Sequence, residues 1–204
     1  MLRARWTKLS LRNAPCARSS HKLSAIAGKA YLFGGEAIAR NSIDSTLHVL
    51  GSDDGDSWKW QALLPELAPP ARVGHAQAVL GSKLYVQGGA CYDRVSFSNW
   101  ADCTGGTPGL GKRLYEFDVT DEPRGWQRLP DNPGPPRANA ALSSVRGSLF
   151  VIGGNTFVSK AQGHRTTSSM TLVDNWRYDP ITTQWSRLAD LPVASGNFQT
   201  NGVK

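Results

Sequence analysis

Residues 72–89 read RVGHAQAVLGSKLYVQGG, so that Arg72 precedes the first glycine of a doublet by sixteen positions. The same spacing separates Arg18 from the doublet of AYLFGG and Arg137 from that of LFVIGG, and these arginines follow one another after 54 and 65 residues. A second element, Trp-x-x-Leu, recurs with its first residue at Trp6, Trp60, Trp126 and Trp185. Self-similarity at periods of this size is the sequence signature of a repeat architecture.

Each repeat is predicted to form four antiparallel strands. In the first, an apolar run at residues 21–26, a tight turn at Gly28 and a second run at residues 31–33 indicate a hairpin. The equivalent turns are Gly81-Ser82 and Arg146-Gly147. A third strand follows a loop of variable length, and the fourth carries the Trp-x-x-Leu element. Because such a meander cannot bury both of its faces alone, we predict an all-β propeller of stacked blades.

The repeats divide the chain into blades with additional strands at the two ends. The predicted divisions are an edge strand at 1–17, blades at 18–71, 72–136 and 137–192, and the start of a further blade at 193–204. Propellers usually have about four to eight blades. We therefore expect an incomplete propeller, a fragment that needs additional blades or self-association to close.

The glycine doublets, spaced aromatics and blade-closing tryptophans of residues 6–192 resemble the Kelch-repeat β-propeller family. The first repeat, with RSSH at 18–21 and FGGE at 33–36, resembles the opening blade of plant nitrile-specifier and epithiospecifier proteins and their fungal relatives. The third repeat and the following LPVASG at 191–196 resemble bacterial Kelch proteins related to sialic-acid mutarotases. The resemblance implies the fold, and it points to two different activities.

The composition suits a loop-rich globular protein, with 40% hydrophobic residues, 21 glycines and 12 prolines. The net charge of +7 arises in residues 1–35, which hold seven Lys and Arg and no acid. No segment has the length of a membrane span or the apolar core of a secretory signal. We expect a soluble, cytoplasmic protein without a membrane partner; the alternative is an organelle, reached through the basic N-terminus. Basic residues are not interleaved with aromatics, so no nucleic-acid partner is expected.

No metal or other cofactor is expected. Cys16, Cys91 and Cys103 contain no CxxC pair, which argues against zinc. Cys91 and Cys103 flank one glycine-rich loop and are either bridged or free thiols. His21 and His75 share one repeat position and are interpreted as scaffold residues.

The resemblance to nitrile-specifier proteins implies an iron motif, Glu-x-x-x-Asp-x-x-x-His. Asp44 precedes His48 by four residues, but Glu36 is too distant to complete the motif. We therefore expect no iron site.

The candidate binding residues lie on one predicted face, where the loops at 36–46, 90–113 and 155–173 join the segments that lead into each blade. Variable loops on a rigid scaffold are the usual location of binding sites. The candidates are Arg18, Arg72, Arg137, Tyr92, Asp93, Trp100 and His164. The arginines either bind an anion or make a scaffold bond in each repeat. The aromatic loop at 90–111 either stacks on a sugar or peptide, or its Trp100 covers the core of the loop itself. His164 either contacts a ligand or lies in a solvated loop.

These residues favour a binding module that presents its loops to a protein or small-molecule partner. The alternative is part of a Kelch-type enzyme, specifier-like or mutarotase-like, that acts on a small anionic or sugar-derived substrate. No GxSxG, phosphate-binding glycine loop or HExxH motif is present, and no catalytic residue is assigned.

Overall fold

The computed structural model describes residues 6, 8, 11–37, 44–55, 57–90, 110–158 and 168–194. This part of the chain consists of antiparallel strands and two short 3-10 turns, at Leu110–Lys112 and Glu122–Arg124, and contains no α-helix. The predicted all-β architecture is confirmed. In the same part of the chain, no helix is long and apolar enough to pass through a membrane.

The strands follow the three repeats. The first repeat has β1 (Arg18–Ser19), β2 (Lys22–Ile26), β3 (Lys29–Phe33), β4 (Glu36–Ala37), β5 (Leu47–Gly51) and β6 (Lys59–Leu63). The second has β7 (Ala76–Leu80), β8 (Lys83–Gln87), β9 (Leu114–Asp118) and β10 (Trp126–Leu129). The third has β11 (Ala141–Val145), β12 (Ser148–Ile152), β13 (Asn155–Val158), β14 (Ser168–Thr171), β15 (Asn175–Asp179) and β16 (Gln184–Leu188).

Three four-stranded sheets result, each ordered from its first strand to its last. Blade 1 is β2-β3-β5-β6, blade 2 is β7-β8-β9-β10, and blade 3 is β11-β12-β15-β16. Two small two-stranded sheets, β1 with β4 and β13 with β14, extend blades 1 and 3. The first strand of blade 2 contacts the first strands of both neighbours, so the blades stand in a row.

The predicted hairpins are present at each of the three expected turns. Two residues separate β2 from β3, β7 from β8 and β11 from β12. Arg146 and Gly147 both have positive φ, 47° and 79°, the geometry of a type I′ turn. This turn matches the twist of the strands that it joins, so each blade begins with a tight strand pair.

Two apolar layers hold the row together. The layer between blades 1 and 2 includes Phe33, Leu47, Leu84, Val86 and Trp126. The layer between blades 2 and 3 includes Tyr85, Leu114, Leu149, Val151 and Tyr178. Since both layers lie between sheets, each blade depends on its neighbour for much of its buried apolar surface.

Trp126 shows how a blade-closing tryptophan works. Its ring is fully buried and lies 5.5 Å from the Phe33 ring of blade 1 and 5.3 Å from the Phe117 ring of its own blade, measured between centroids. Its backbone N–H donates to the Glu66 carbonyl, 3.0 Å away. Aromatic pairs at this separation are favourable beyond the area that they bury, so Trp126 ties the outer edge of blade 2 to blade 1.

Five of the six doublet glycines occupy places where a side chain would collide with neighbouring atoms. A Cβ on Gly34 would lie 2.7 Å from the Arg72 carbonyl oxygen, and one on Gly88 would lie 2.6 Å from that of Arg137. A Cβ on the second glycine of each doublet would lie 2.6 to 2.9 Å from a backbone oxygen of its own blade. All six glycines also have positive φ, which disfavours any residue with a Cβ.

The terminal strands predicted at the two ends are only partly covered. Within residues 1–10 the structure describes Trp6 and Lys8, and Trp6 is 96% exposed. Of residues 193–204 it describes Val193 and Ala194. The predicted edge strand and further blade therefore lie mainly outside the described residues and stay predictions.

We predict that Gly88→Ala is far more destabilising than Gly81→Ala. The two glycines have similar φ, 67° and 62°, so both substitutions carry the same left-handed penalty of roughly 1–2 kcal/mol. Only at Gly88 does the new Cβ also collide with backbone, whereas a Cβ on Gly81 would have open space. Gly88→Ala should lose at least about 2 kcal/mol more, measured by urea unfolding followed by tryptophan fluorescence. Equal losses would show that the close approach to blade 3 is unimportant.

Candidate functional site

One edge of the row brings the arginine-bearing segments next to the residues that follow the doublets. In blade 1 this pairing is β1 with β4, and in the other two blades it consists of single bridges between Val73 and Ala90 and between Ala138 and Asn155. The loops that join the second and third strands begin here. The arginines and the bases of these loops therefore share one edge, termed the loop face below.

Each arginine makes the same hydrogen bonds within its own blade. Its Nη1 donates to the carbonyl of the first glycine of the doublet, and its Nε donates to the carbonyl two residues before it. The Nη1 pairs are Arg18–Gly34 at 3.1 Å, Arg72–Gly88 at 2.9 Å and Arg137–Gly153 at 3.0 Å. The Nε acceptors are Cys16, Pro70 and Pro135. The Nη1 bond to the doublet glycine accounts for the constant spacing of sixteen residues between the arginine and that glycine.

The arginine backbone also joins one blade to the next. The Gly35 N–H of blade 1 donates to the Arg72 carbonyl of blade 2, and the Gly89 N–H of blade 2 donates to the Arg137 carbonyl of blade 3, both at 2.9 Å. A chain of hydrogen bonds thus runs along the loop face through all three blades. A ligand-binding role for the arginines stays a prediction beside this scaffold role.

In blades 1 and 3 the remaining guanidinium nitrogen is paired with a carboxylate. Arg18 Nη2 lies 2.7 Å from Asp44 Oδ2 and 3.4 Å from His48 Nε2. Arg137 Nη2 donates to Asp174 Oδ2, which also accepts from Trp176 Nε1. These arginines are buried with their charge compensated.

Arg72 of blade 2 differs from the other two. It is fully buried, its Nη2 has no hydrogen-bond partner, and no described carboxylate lies within 4.0 Å of it. The Tyr115 ring centroid lies 5.1 Å from its Cζ. Burial lowers the pKa of Arg72 to about 10, the Tyr115 hydroxyl opposes this shift, and the nearby Arg113 adds slightly to it, so the side chain remains protonated at neutral pH. Blade 2 therefore holds a buried cation without a counter-charge among the described residues.

Strand register explains this difference. Tyr115 pairs with Val86 and Trp176 pairs with Val151, at the same place in their blades. The residue two before each is therefore equivalent, and it is Arg113 in blade 2 where blade 3 has Asp174. This replacement is not evident from the sequence, because the loops before these strands differ in length and only the strand register shows the two positions to be equivalent.

The other candidate residues cannot be placed. Tyr92, Asp93, Trp100 and His164 lie outside the described residues, as do Cys91 and Cys103. Cys16 is exposed, with a free thiol. Over the described ranges no group of three or more His, Cys, Asp or Glu side chains is placed to hold a metal ion.

His75 is buried in the interface between blades 1 and 2. Its ring lies edge-on to Phe33, with 5.5 Å between centroids, and neither ring nitrogen has a hydrogen-bond partner in the described structure. Burial, reinforced by the Arg72 charge, lowers the pKa of His75 well below its usual value. His75 is therefore neutral in the folded protein, which agrees with its interpretation as a scaffold residue.

Comparisons with known proteins place these features in a wider context. The KLHDC2/KLHL20/DRC7 Kelch-repeats domain matches residues 1–196. The N-(sulfonatooxy)prop-2-enimidothioate sulfolyase of Thlaspi arvense is 28% identical over 209 residues, which cover 99% of this chain and 52% of that protein. The N-acetylneuraminate epimerase of Yersinia enterocolitica is 38% identical over 84 residues, 41% of this chain and 20% of that protein.

A solved structure, "Structure of YjhT", superimposes with a TM-score of 0.67 and 17% sequence identity, over 95% of this chain and 61% of that one. At this identity the likeness concerns the fold alone. The chain spans about half of the sulfolyase and a fifth of the epimerase.

We predict that His75 makes the fold acid-sensitive. Below about pH 6.5 the unfolded chain protonates this histidine while the folded chain does not, so the free energy of unfolding falls as the pH decreases. The contribution is at most about 1.4 kcal/mol per pH unit. His75→Ala, which introduces the residue found at this position in blade 3 as Ala140, should lower stability at neutral pH but flatten the decline between about pH 7 and pH 5. Parallel pH profiles of the two proteins in urea unfolding would contradict this assignment.

Proposed function

The chain belongs to the Kelch-repeat family, and on that basis we propose that it is a binding module whose loop face takes up a protein or small-molecule partner. The loops of this face start from segments that are held by backbone hydrogen bonds and by the arginines. A rigid base with loops of different lengths is the arrangement that binding proteins use. Cytoplasmic location and the absence of a nucleic-acid partner remain predictions from the sequence.

Arg72 is the observation that supports a particular class of ligand, one with a small anionic group. Burying a charge without a counter-charge is unfavourable in free energy. Arg18 and Arg137 avoid this because each is paired with a carboxylate. A carboxylate or sulfate that reaches Arg72 Nη2 would form a charge-assisted hydrogen bond that no described residue supplies. Because Arg72 is fully buried, the anionic group has to be small.

An enzyme is the second candidate, favoured by the names of the relatives. The sulfolyase acts on a sulfonatooxy compound by its name, and the epimerase acts on N-acetylneuraminate, which carries a carboxylate. Both names imply an anionic group, in agreement with the class of ligand proposed for Arg72. Acceleration of N-acetylneuraminate anomer exchange, followed by proton NMR, would support this candidate, and an unchanged exchange rate would leave the mutarotase-like form without support.

We predict that the protein binds N-acetylneuraminate and not its neutral methyl ester. Arg72→Gln removes the guanidinium that has no carboxylate partner among the described residues and should weaken binding about 10- to 100-fold, the effect of losing one hydrogen bond to a charged group. Arg137→Gln is the matched control, since it removes the same bond to a doublet carbonyl but leaves Arg72 in place. Titration calorimetry gives the affinities, and thermal unfolding gives the stability of each variant.

Three results would contradict the proposal. Equal affinity for the ester would show that the anionic group is not recognised. Equal weakening by both substitutions would show that the arginines act only through stability. Failure of N-acetylneuraminate to bind at all, with acetate and sulfate also inactive as probes, would remove the anionic class.

A further inference from the structure

Arg113 occupies, in blade 2, the backbone position that a carboxylate residue has in blade 3. Its carbonyl oxygen accepts a hydrogen bond from the Gly88 N–H at 3.0 Å. In blade 3 the Asp174 carbonyl accepts one from the Gly153 N–H at 3.3 Å, and the Asp174 carboxylate pairs with Arg137. A side chain that starts from this position is therefore within reach of the guanidinium of its own blade.

The direction of the Arg113 side chain follows from the alternation along the strand. Successive side chains of a strand point to opposite faces, so Arg113 shares its face with Tyr115, two residues further on. The Tyr115 ring centroid lies 5.1 Å from Arg72 Cζ, which places Arg72 on the same face. Burial is the main cause of the lowered pKa of Arg72, and the Arg113 charge adds slightly to it, as expected for neighbouring guanidinium groups.

The two arginines extend from the interior towards the surface. Arg72 is fully buried, and its Nη2 has no acceptor among the described residues. Its Nη1 and Nε both donate to backbone carbonyls, so Nη2 is the nitrogen left for a ligand. Arg113 is only half-buried. A group that contacts both side chains must therefore be small and must present acceptor oxygens to two guanidinium groups.

The charges of the two side chains define the class of group that fits. Both are cations, and like charges held close together in a partly buried site repel each other. An anion with a single negative charge compensates only one of them. A tetrahedral oxyanion with two negative charges compensates both, and its oxygens match the N–H groups of guanidinium. A phosphate monoester is such a group, because its second pKa is about 6 and it carries a charge of about −2 at slightly alkaline pH.

From this arrangement we propose that Arg113 determines the specificity of the Arg72 site, and that the two arginines together hold the terminal dianion of a small phosphate monoester. The inference rests on the proposed function, which requires an anionic group at Arg72, and narrows that group to a doubly charged one. A carboxylate or a sulfate ester, with one charge, binds the same site more weakly. Arg113 contributes through its charge, so the neutral or acidic replacement of this residue removes the preference or the binding.

Titration calorimetry at about pH 8 with methyl phosphate and methyl sulfate tests this proposal, because the two esters have the same shape and differ by about one charge. Methyl phosphate should bind about 10- to 100-fold more tightly, the effect of one more hydrogen bond to a charged group. Arg113→Gln should make the two affinities equal by weakening the binding of methyl phosphate. This ratio of affinities does not depend on the stability of the variant.

Arg113→Asp reverses the charge and places at this position the residue that blade 3 has there. It should abolish the binding of both esters, because Arg72 then has a carboxylate partner within the chain. The midpoint of thermal unfolding should rise by about 2–4 °C for the same reason. Arg146→Asp is the matched control, since it makes the same change of charge at an exposed turn where Asp-Gly is favoured. Its affinity for both esters should equal that of the unsubstituted protein.

The outcomes separate this proposal from the proposed function. If Arg72→Gln weakens the binding of both esters while Arg113→Gln and Arg113→Asp change neither, the anionic site stands and the role of Arg113 is overturned. Equal affinity of the unsubstituted protein for the two esters would also overturn it. Binding of inorganic sulfate without binding of methyl phosphate would assign the site to a free ion and contradict a phosphate monoester. If neither ester binds and N-acetylneuraminate, acetate and sulfate are also inactive, both proposals fail.

Discussion

The hydrogen bond from each arginine to the first glycine of its doublet is the interaction on which the three blades depend. The side chain closes its own blade, while the carbonyl of Arg72 or Arg137 receives an N–H from the blade before it. One residue thus fixes both the end of a strand pair and the position of the neighbouring sheet. Gly34 and Gly88 follow from this constraint, because a Cβ on either would occupy the space that the neighbouring arginine carbonyl takes.

The sequence was sufficient to predict the blades because their determinants are local and repeated. The spacing from Arg72 to Gly88 spans one hairpin, and its turn residues lie between two short strands. The counter-charges could not be predicted in this way. The residue at the counter-charge position is Asp174 in blade 3 and Arg113 in blade 2. This position is set by the register of the third strand, which follows a loop of variable length. The burial of His75 could not be predicted from its own repeat either, because it comes from Phe33 of the adjacent blade.

Blade 2 keeps the hydrogen-bond geometry of the other repeats around its arginine but lacks the carboxylate that blade 3 has beside Arg137. Its arginine makes the same bonds to the doublet and to the preceding carbonyl as Arg137 does. Only the third nitrogen differs, since the carboxylate position of blade 3 is taken by Arg113. A repeat scaffold tolerates such a change in one unit because the stabilising contacts of that unit are supplied by its neighbours. Functional sites on repeat folds are accordingly best sought where one repeat breaks the rule that the others obey.

Arg72, which has no carboxylate partner among the described residues, lies in the central blade of the row, away from its two ends. Arg72 is held from both sides within the chain, through Gly35 of blade 1 and through the apolar layer that blade 2 shares with blade 3. Its geometry therefore depends on the neighbouring blades within the chain and not on the outward faces of blades 1 and 3.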